Sequence, residues 1–228
     1  METLQHEIAA AAVFDDDGDS GLDGNAFGEQ PLVAGVDQAF DGDSATSAIV
    51  VVRGDQIVER VHASEPVEIP YIPGLLSFRE GGAILAAFER LESDPDVVLV
   101  DGSGRIHYRE AGLATHIGVT LDIPTVGVAK RLLCGRPRES LDDPLPAGRR
   151  VAIEANADVS TPDGTVIGYA VQTRQFESGN RYINPLYVSP GHRVSAETAA
   201  DLVTSLTRGY KLPEPVRLAD RYAGELTS

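Results

Sequence analysis

The chain has no tryptophan, a single cysteine (Cys134) and only two lysines, Lys130 and Lys211, in 228 residues. One thiol excludes an internal disulfide. There is no apolar run of membrane-spanning length and no recognisable secretory leader, so a soluble cytoplasmic protein with no membrane partner is expected. The lysine shortage belongs to a wider imbalance, with 35 acidic residues against 19 basic ones and a formal net charge of −16. Such an excess ordinarily opposes nucleic-acid binding, because phosphate contacts dominate affinity. The same excess suits a protein kept soluble in concentrated salt, where screening over a few ångströms removes long-range repulsion. Abundant Asp with scarce Lys therefore points to a halophilic archaeon as the source.

Among the segments present, Pro70-Tyr71-Ile72-Pro73-Gly74-Leu75-Leu76-Ser77-Phe78-Arg79-Glu80 is the most informative. Two prolines restrict Tyr71 and Ile72 to a narrow range of backbone conformations. A stiffly held aromatic is suited to wedge between stacked bases, and it is equally suited to pack in a proline-bounded turn. Leu32-Val33-Ala34-Gly35-Val36-Asp37 and Asp96-Val97-Val98-Leu99-Val100-Asp101-Gly102 are short apolar runs that each end in Asp. Runs of this length suit strands buried on both faces, with each Asp at a strand end, where open α/β sheets gather ligands. Carboxylates brought together there either raise one another's pKa or collect a divalent cation. Oxygen donors without a Cys cluster favour Mg²⁺, with Mn²⁺ as a substitute. Singly, each Asp also fits a turn or helix cap, and Ser77 to Glu80 fits a capping box in which Glu80 binds no metal.

The chain is long enough for one substantial core. Residues 1–30 read as an acidic arm containing a short helix, and residues 31–228 as a single domain. The run Asp15-Asp16-Asp17-Gly18-Asp19-Ser20-Gly21 lacks the distal Glu of a calcium loop and reads as solvated. A hairpin is expected over Ala48–Val52 and Ile57–Val61, and a helix carrying Ile84, Leu85, Phe88 and Leu91 on its apolar face. Further helices are expected over Glu110–Val119 and Ala196–Leu206, and strands over Val126–Ala129, Val151–Glu154 and Val166–Val171. The class is α/β.

Five segments in order carry a family resemblance: Gly35-Val36-Asp37, Pro70 to Glu80, Val100-Asp101-Gly102-Ser103-Gly104, Pro124 to Lys130, and Asn184 to Ser195. Together they resemble the endonuclease V family of inosine-directed repair nucleases. Ser103 departs from the larger polar residue expected between the two glycines. The resemblance implies a ribonuclease-H-like mixed central sheet flanked by helices, and a Mg²⁺ site made by Asp37, Glu80 and Asp101. It also implies Lys130 at the scissile phosphate and His192 beside the metal or attacking water. Tyr71, held in its loop with Ile72 and Pro73, would act as the wedge. Gly74, Gly102, Gly104 and Gly112 would let backbone approach a flipped hypoxanthine, with Leu76 and Leu133 stacking on it. The implied reaction cuts the second phosphodiester bond 3′ of deoxyinosine in DNA, leaving a 3′-hydroxyl and a 5′-phosphate, and a monomer is expected.

Three alternatives remain open to the sequence. The same chemistry could act on inosine in RNA, since 2′-hydroxyl contacts leave no sequence signature. The protein could be a lesion binder that nicks once and holds its product. It could also be a structural domain, which the net charge favours and the carboxylate set opposes.

Overall fold

The computed structural model describes residues 1–16, 30–67, 76–176 and 181–227. At its centre lies a nine-stranded mixed sheet in the order β3-β2-β1-β4-β5-β9-β8-β7-β6. The first three strands, β1 (Leu32–Asp41), β2 (Ser44–Arg53) and β3 (Gln56–Pro66), form an antiparallel meander with turn glycines Gly42 and Gly54 in the left-handed region. Strands β4 (Val97–Val100) and β5 (Thr125–Ala129) then add in parallel beside β1. The remaining four are β6 (Arg136–Pro137), β7 (Arg150–Glu154), β8 (Val166–Val171) and β9 (Leu186–His192). Strand β9 returns to pair antiparallel with β5 and joins this second half to the first.

Because side chains alternate across a strand, the apolar runs divide between two cores. Val36, Val98 and Val100 face α2 (Leu76–Phe88) and α3 (Leu113–Leu121), together with Ile84, Leu113 and Ile117. Val33, Val97, Leu99, Val126 and Val128 face the other way, onto α4 (Ala196–Ser205) and α5 (Glu214–Leu226). Strands covered on both faces are what the continuous Val/Leu runs foretell.

The α/β class and the mixed sheet flanked by helices are as expected. Several elements differ. Helix α3 starts at Leu113, not Glu110, because Glu110 has φ of 53° and is tied to Arg105 at 2.7 Å, so the chain cannot enter helical geometry there. Strand β9 lies where the sequence showed only a motif, and α5 was not foreseen. Residues 1–16 are also no free arm. Helix α1 (Glu2–Ala11) lies against α3 with Gln5 fully buried, and Asp16 accepts from the Ser195 amide and the Thr198 hydroxyl, both at 2.8 Å, at the start of α4. The rest of the acidic run lies outside the described residues.

Candidate active site

Strands β1, β4 and β5 run parallel and deliver their chemistry at the same end. Val36 pairs with Val100, and the Asp101 amide donates to the Val36 carbonyl at 2.9 Å, so Asp37 and Asp101 are lateral neighbours. Both belong to the odd-numbered set that faces α4 and α5. Lys130 continues the even-numbered set of β5, Val126 and Val128, onto the same face. Alternation alone thus aims two carboxylates and an ammonium at one point.

Helix α5 brings the third carboxylate. Gly35 on β1 points at this helix, and a Cβ there would lie 2.1 Å from the Pro215 carbonyl carbon. Only a glycine lets α5 rest this close to β1. Five residues after Pro215, Asp220 falls beside Asp37. Carboxylate oxygens of Asp37, Asp101 and Asp220 lie within 4.8 Å of one another. Lys130 Nζ donates to Asp101 Oδ2 at 2.5 Å and stands 3.9 Å from Asp220 Oδ1. Near-neighbour carboxylates of this kind suit a hard divalent cation, and no Cys or His belongs to the group.

The electrostatics fit that donor set. Burial pushes the Asp37 pKa up to about 8, reinforced by the Asp101 charge and hydrogen bond and by Asp220, against the pull of Lys130. Glu80 is buried just past the first turn of α2 and is pushed up to about 7, first by burial and then by Asp101, with Arg79 opposing. Burial works against the Lys130 charge, but Asp101, Asp37 and Asp220 together outweigh it and raise its pKa. Ser77 lies inside α2, so the capping box that would have occupied Glu80 does not form there.

The endonuclease V family model matches residues 22–221, nearly the whole of this site and fold. The chain belongs to the endonuclease V family. It is 63% identical to endonuclease V of Haloarcula marismortui over 245 residues, covering 99% of this chain and 90% of that one. Its identity to endonuclease V of Halobacterium salinarum is 54%, over 100% and 93% of the two chains. The catalytic domain of human endonuclease V superposes with a TM-score of 0.81 at 31% identity, covering 99% of this chain and 93% of that one. Endonuclease V of Ciona intestinalis, solved with a 24mer DNA containing an inosine followed by a ribo-adenosine, gives a TM-score of 0.79 at 25% identity, over 99% and 95% of the two chains. The protein is therefore a nuclease, and these halophilic relatives accord with its acidic composition.

The residues expected at the site separate into groups. Asp37, Asp101 and Lys130 come together, whereas Glu80 feels the Asp101 charge without belonging to the three-carboxylate group. His192 does not join them: it ends β9 opposite Thr125, which pairs with Val98 three residues before Asp101. There it is buried, with Nδ1 accepting from the Val13 amide at 3.2 Å and Nε2 3.3 Å from Asp122 Oδ1. Its observed contacts tie the N-terminal segment to the domain, and it stands apart from the carboxylate cluster. Gly104 does require close approach, but of the chain's own backbone, since a Cβ there would lie 2.2 Å from the Pro190 oxygen. Gly112 is crowded by the Ser103 and Gly104 oxygens, and its amide donates to Gly104 at 3.1 Å. A Cβ on Gly102 would lie 3.2 Å from the Leu113 side chain. These glycines fold the loop after Asp101 back on itself. Leu133 is half-buried beside Cys134, and Leu76 is the first residue of α2. Tyr71, Ile72, Pro73 and Gly74 lie outside the described residues.

Asp220 is the residue that sequence reasoning missed. Its signal was present: Pro215 in a first turn, then Val216, Ala219 and Ala223 at helical spacing. Reading that helix would have shown an Asp beside its apolar stripe, but not which strand the stripe meets.

Proposed function

We propose that this protein is a Mg²⁺-dependent endonuclease that recognises deoxyinosine in DNA and hydrolyses the second phosphodiester bond on its 3′ side, leaving a 3′-hydroxyl and a 5′-phosphate. The observation that carries this reading is the convergence of Asp37, Asp101 and Asp220 with Lys130 at one end of the parallel strands. The DNA held by the Ciona intestinalis relative supports the substrate class. Asp37, Asp101 and Asp220, with Glu80 from α2, would hold Mg²⁺, with Mn²⁺ as a substitute. A divalent cation bound there supplies Lewis-acid stabilisation of the phosphoryl oxygens and an acidified water.

The chain's own groups do the rest. Lys130 binds the scissile phosphate as a point charge, exchanging its contact with Asp101 for a phosphate oxygen. Asp37 and Glu80, held protonated by burial and crowding, give up their protons when positive charge enters the cluster. Hypoxanthine differs from guanine only by the missing 2-amino group, so selection falls to a close-fitting pocket. Gly74, Gly102, Gly104 and Gly112 would shape its backbone wall, with Leu76 and Leu133 as stacking surfaces and Tyr71, in its loop with Ile72 and Pro73, as the wedge.

The test is nicking of an end-labelled duplex with one deoxyinosine, in molar KCl with Mg²⁺, beside an undamaged duplex and Asp37→Ala. A metal-dependent cut one nucleotide beyond the lesion, lost in the variant, is expected. Silence across salt and metal conditions would refute the reading. A second reading, inosine-containing RNA as substrate, is favoured by the ribo-adenosine that follows the inosine in the relative's bound strand. Cutting of the RNA strand alone would select it.

A further inference from the structure

The two lysines of this chain, 81 positions apart in sequence and the only ones it has, sit at the same end of the sheet. Lys211 lies between α4 and α5, and its carbonyl accepts from Thr173 Oγ1 at 2.6 Å. Thr173 follows the end of β8, where Val171 pairs with Leu186. The next residue, Tyr187, pairs with Ala129, directly before Lys130. Leu212 packs into the core under α4 and α5, and α5 begins two residues later and carries Asp220 into the carboxylate cluster. The Lys130 charge acts on Lys211, and together with burial it lowers the Lys211 pKa.

The arginines of this acidic protein find carboxylates readily. Arg105 meets Glu110, Arg138 meets Glu154 and Arg150 meets Asp201, each at 2.7 Å, and Arg217 meets Glu214 at 2.6 Å. Lys211 is half-buried, and among the described residues it has no carboxylate within ion-pair reach. In a chain of net charge −16, a half-buried cation without a counter-charge and beside a second cation is held at a cost. An incoming anion removes that cost.

We propose that Lys211 is a second backbone-phosphate site, taking a non-bridging oxygen of the phosphodiester next to the one held at Lys130. This inference rests on the nuclease reading above and adds a residue to it. Lys130 is occupied by Asp101, whereas Lys211 meets no carboxylate among the described residues and would reach the strand first.

The experiment compares the full chain with Lys211→Gln and Lys211→Arg in steady-state nicking of the deoxyinosine duplex over a KCl series. With Lys211→Gln, kcat/KM at the lowest salt should fall about tenfold, the loss expected for one charge-assisted bond, mainly through KM. The slope of log kcat/KM against log KCl should become shallower by about 0.9, the value of one phosphate contact. Lys211→Arg should restore both. A purely structural role leaves the slope unchanged, so a Lys211→Gln slope equal to that of the parent overturns the inference whether or not activity falls. Failure of Lys211→Arg to restore the slope also overturns it. If the parent leaves the deoxyinosine duplex uncut, the functional reading itself fails; if the parent cuts and the slope is unmoved, only the role of Lys211 fails.

Discussion

Titrating a divalent cation into the protein as pH is lowered from 9 to 6 should weaken its binding steeply, because the cluster must lose protons to receive it. With its pKa pushed up to about 8, the Asp37 carboxyl is ionised only about one time in a hundred at pH 6. Displacing that proton therefore costs about a hundredfold in apparent affinity at pH 6, against about twofold at pH 8. Glu80, at about 7, adds about tenfold at pH 6 if it joins the cation. The expected fall between pH 9 and pH 6 is about a thousandfold, with close to two protons released per cation at the acid end. The Asp37 proton is shared with Asp101, so it belongs to the pair as a unit.

Isothermal titration with Mn²⁺ in two buffers of different ionisation enthalpy measures both affinity and proton release. Asp37→Asn should remove about one proton from the count. An affinity that changes less than tenfold over this range, with no proton release, would refute the argument that crowding and burial hold the cluster protonated. The metal-free protein should show the matching stability trend. The folded state keeps protons on Asp37 and Glu80 that the unfolded chain gives up near its ordinary carboxylate range. Their contribution is therefore fully present below about pH 4 and is lost as pH rises through about 7 to 8. Saturating Mg²⁺ should reverse the loss at the alkaline end.

Asp220→Asn should reduce nicking at fixed Mg²⁺ by about 10- to 100-fold and weaken metal binding in parallel, the range seen when groups around a metal are changed. His192→Ala should leave metal affinity alone and destabilise the fold by about 1–3 kcal/mol, since it strands the Val13 amide. A folded His192→Ala protein with parental metal affinity and no nicking would return that histidine to the chemistry. Gly35→Ala should lower stability by about 1–3 kcal/mol, because its methyl meets the Pro215 backbone. Calorimetry should then register a Tm lower by about 2–4 °C per kcal/mol, and an unchanged Tm would deny the close seat of α5 on β1.

How far the sequence could be read depended on how local each signal was. Val33, Val97 and Val98 announced buried strands because a strand covered on both faces has no choice of residue type. Asp37 and Asp101 could be placed at strand ends from those runs alone. Asp220 could not, because its role comes from a helix docking across β1 through Gly35, a contact between residues 180 positions apart. His192 was harder to place, because a histidine among glycine and arginine looks available, whereas its buried ring meets the Val13 amide and Asp122, neither of them near it in sequence. The acidic run beginning at Asp15 looked solvated, yet Asp16 found the exposed amide at the start of α4, where an anion is favoured. Element types followed from periodicity, and the errors arose where distant segments meet.

The charge balance that argued against nucleic-acid binding takes a different meaning once the cations are located. Affinity falls with salt in proportion to the number of phosphate contacts, at about 0.9 decades per contact for each tenfold rise in salt. A nuclease gripping about eight phosphates would lose about seven decades on moving to tenfold higher salt, whereas one gripping two would lose about two. For a protein working in concentrated salt, many basic contacts are therefore of little use. The structure is consistent with that economy: Arg136 and Arg138 both lie against Glu154, and the two lysines stand at the carboxylate end of the sheet. With few charges facing the strand, affinity must come from contacts that salt does not screen. A flipped base enclosed by backbone and aliphatic surface is such a contact, and apolar burial strengthens in salts excluded from protein surfaces. A recognition pocket that depends on shape, as proposed above, would then be the counterpart of the acidic surface in the same solvent.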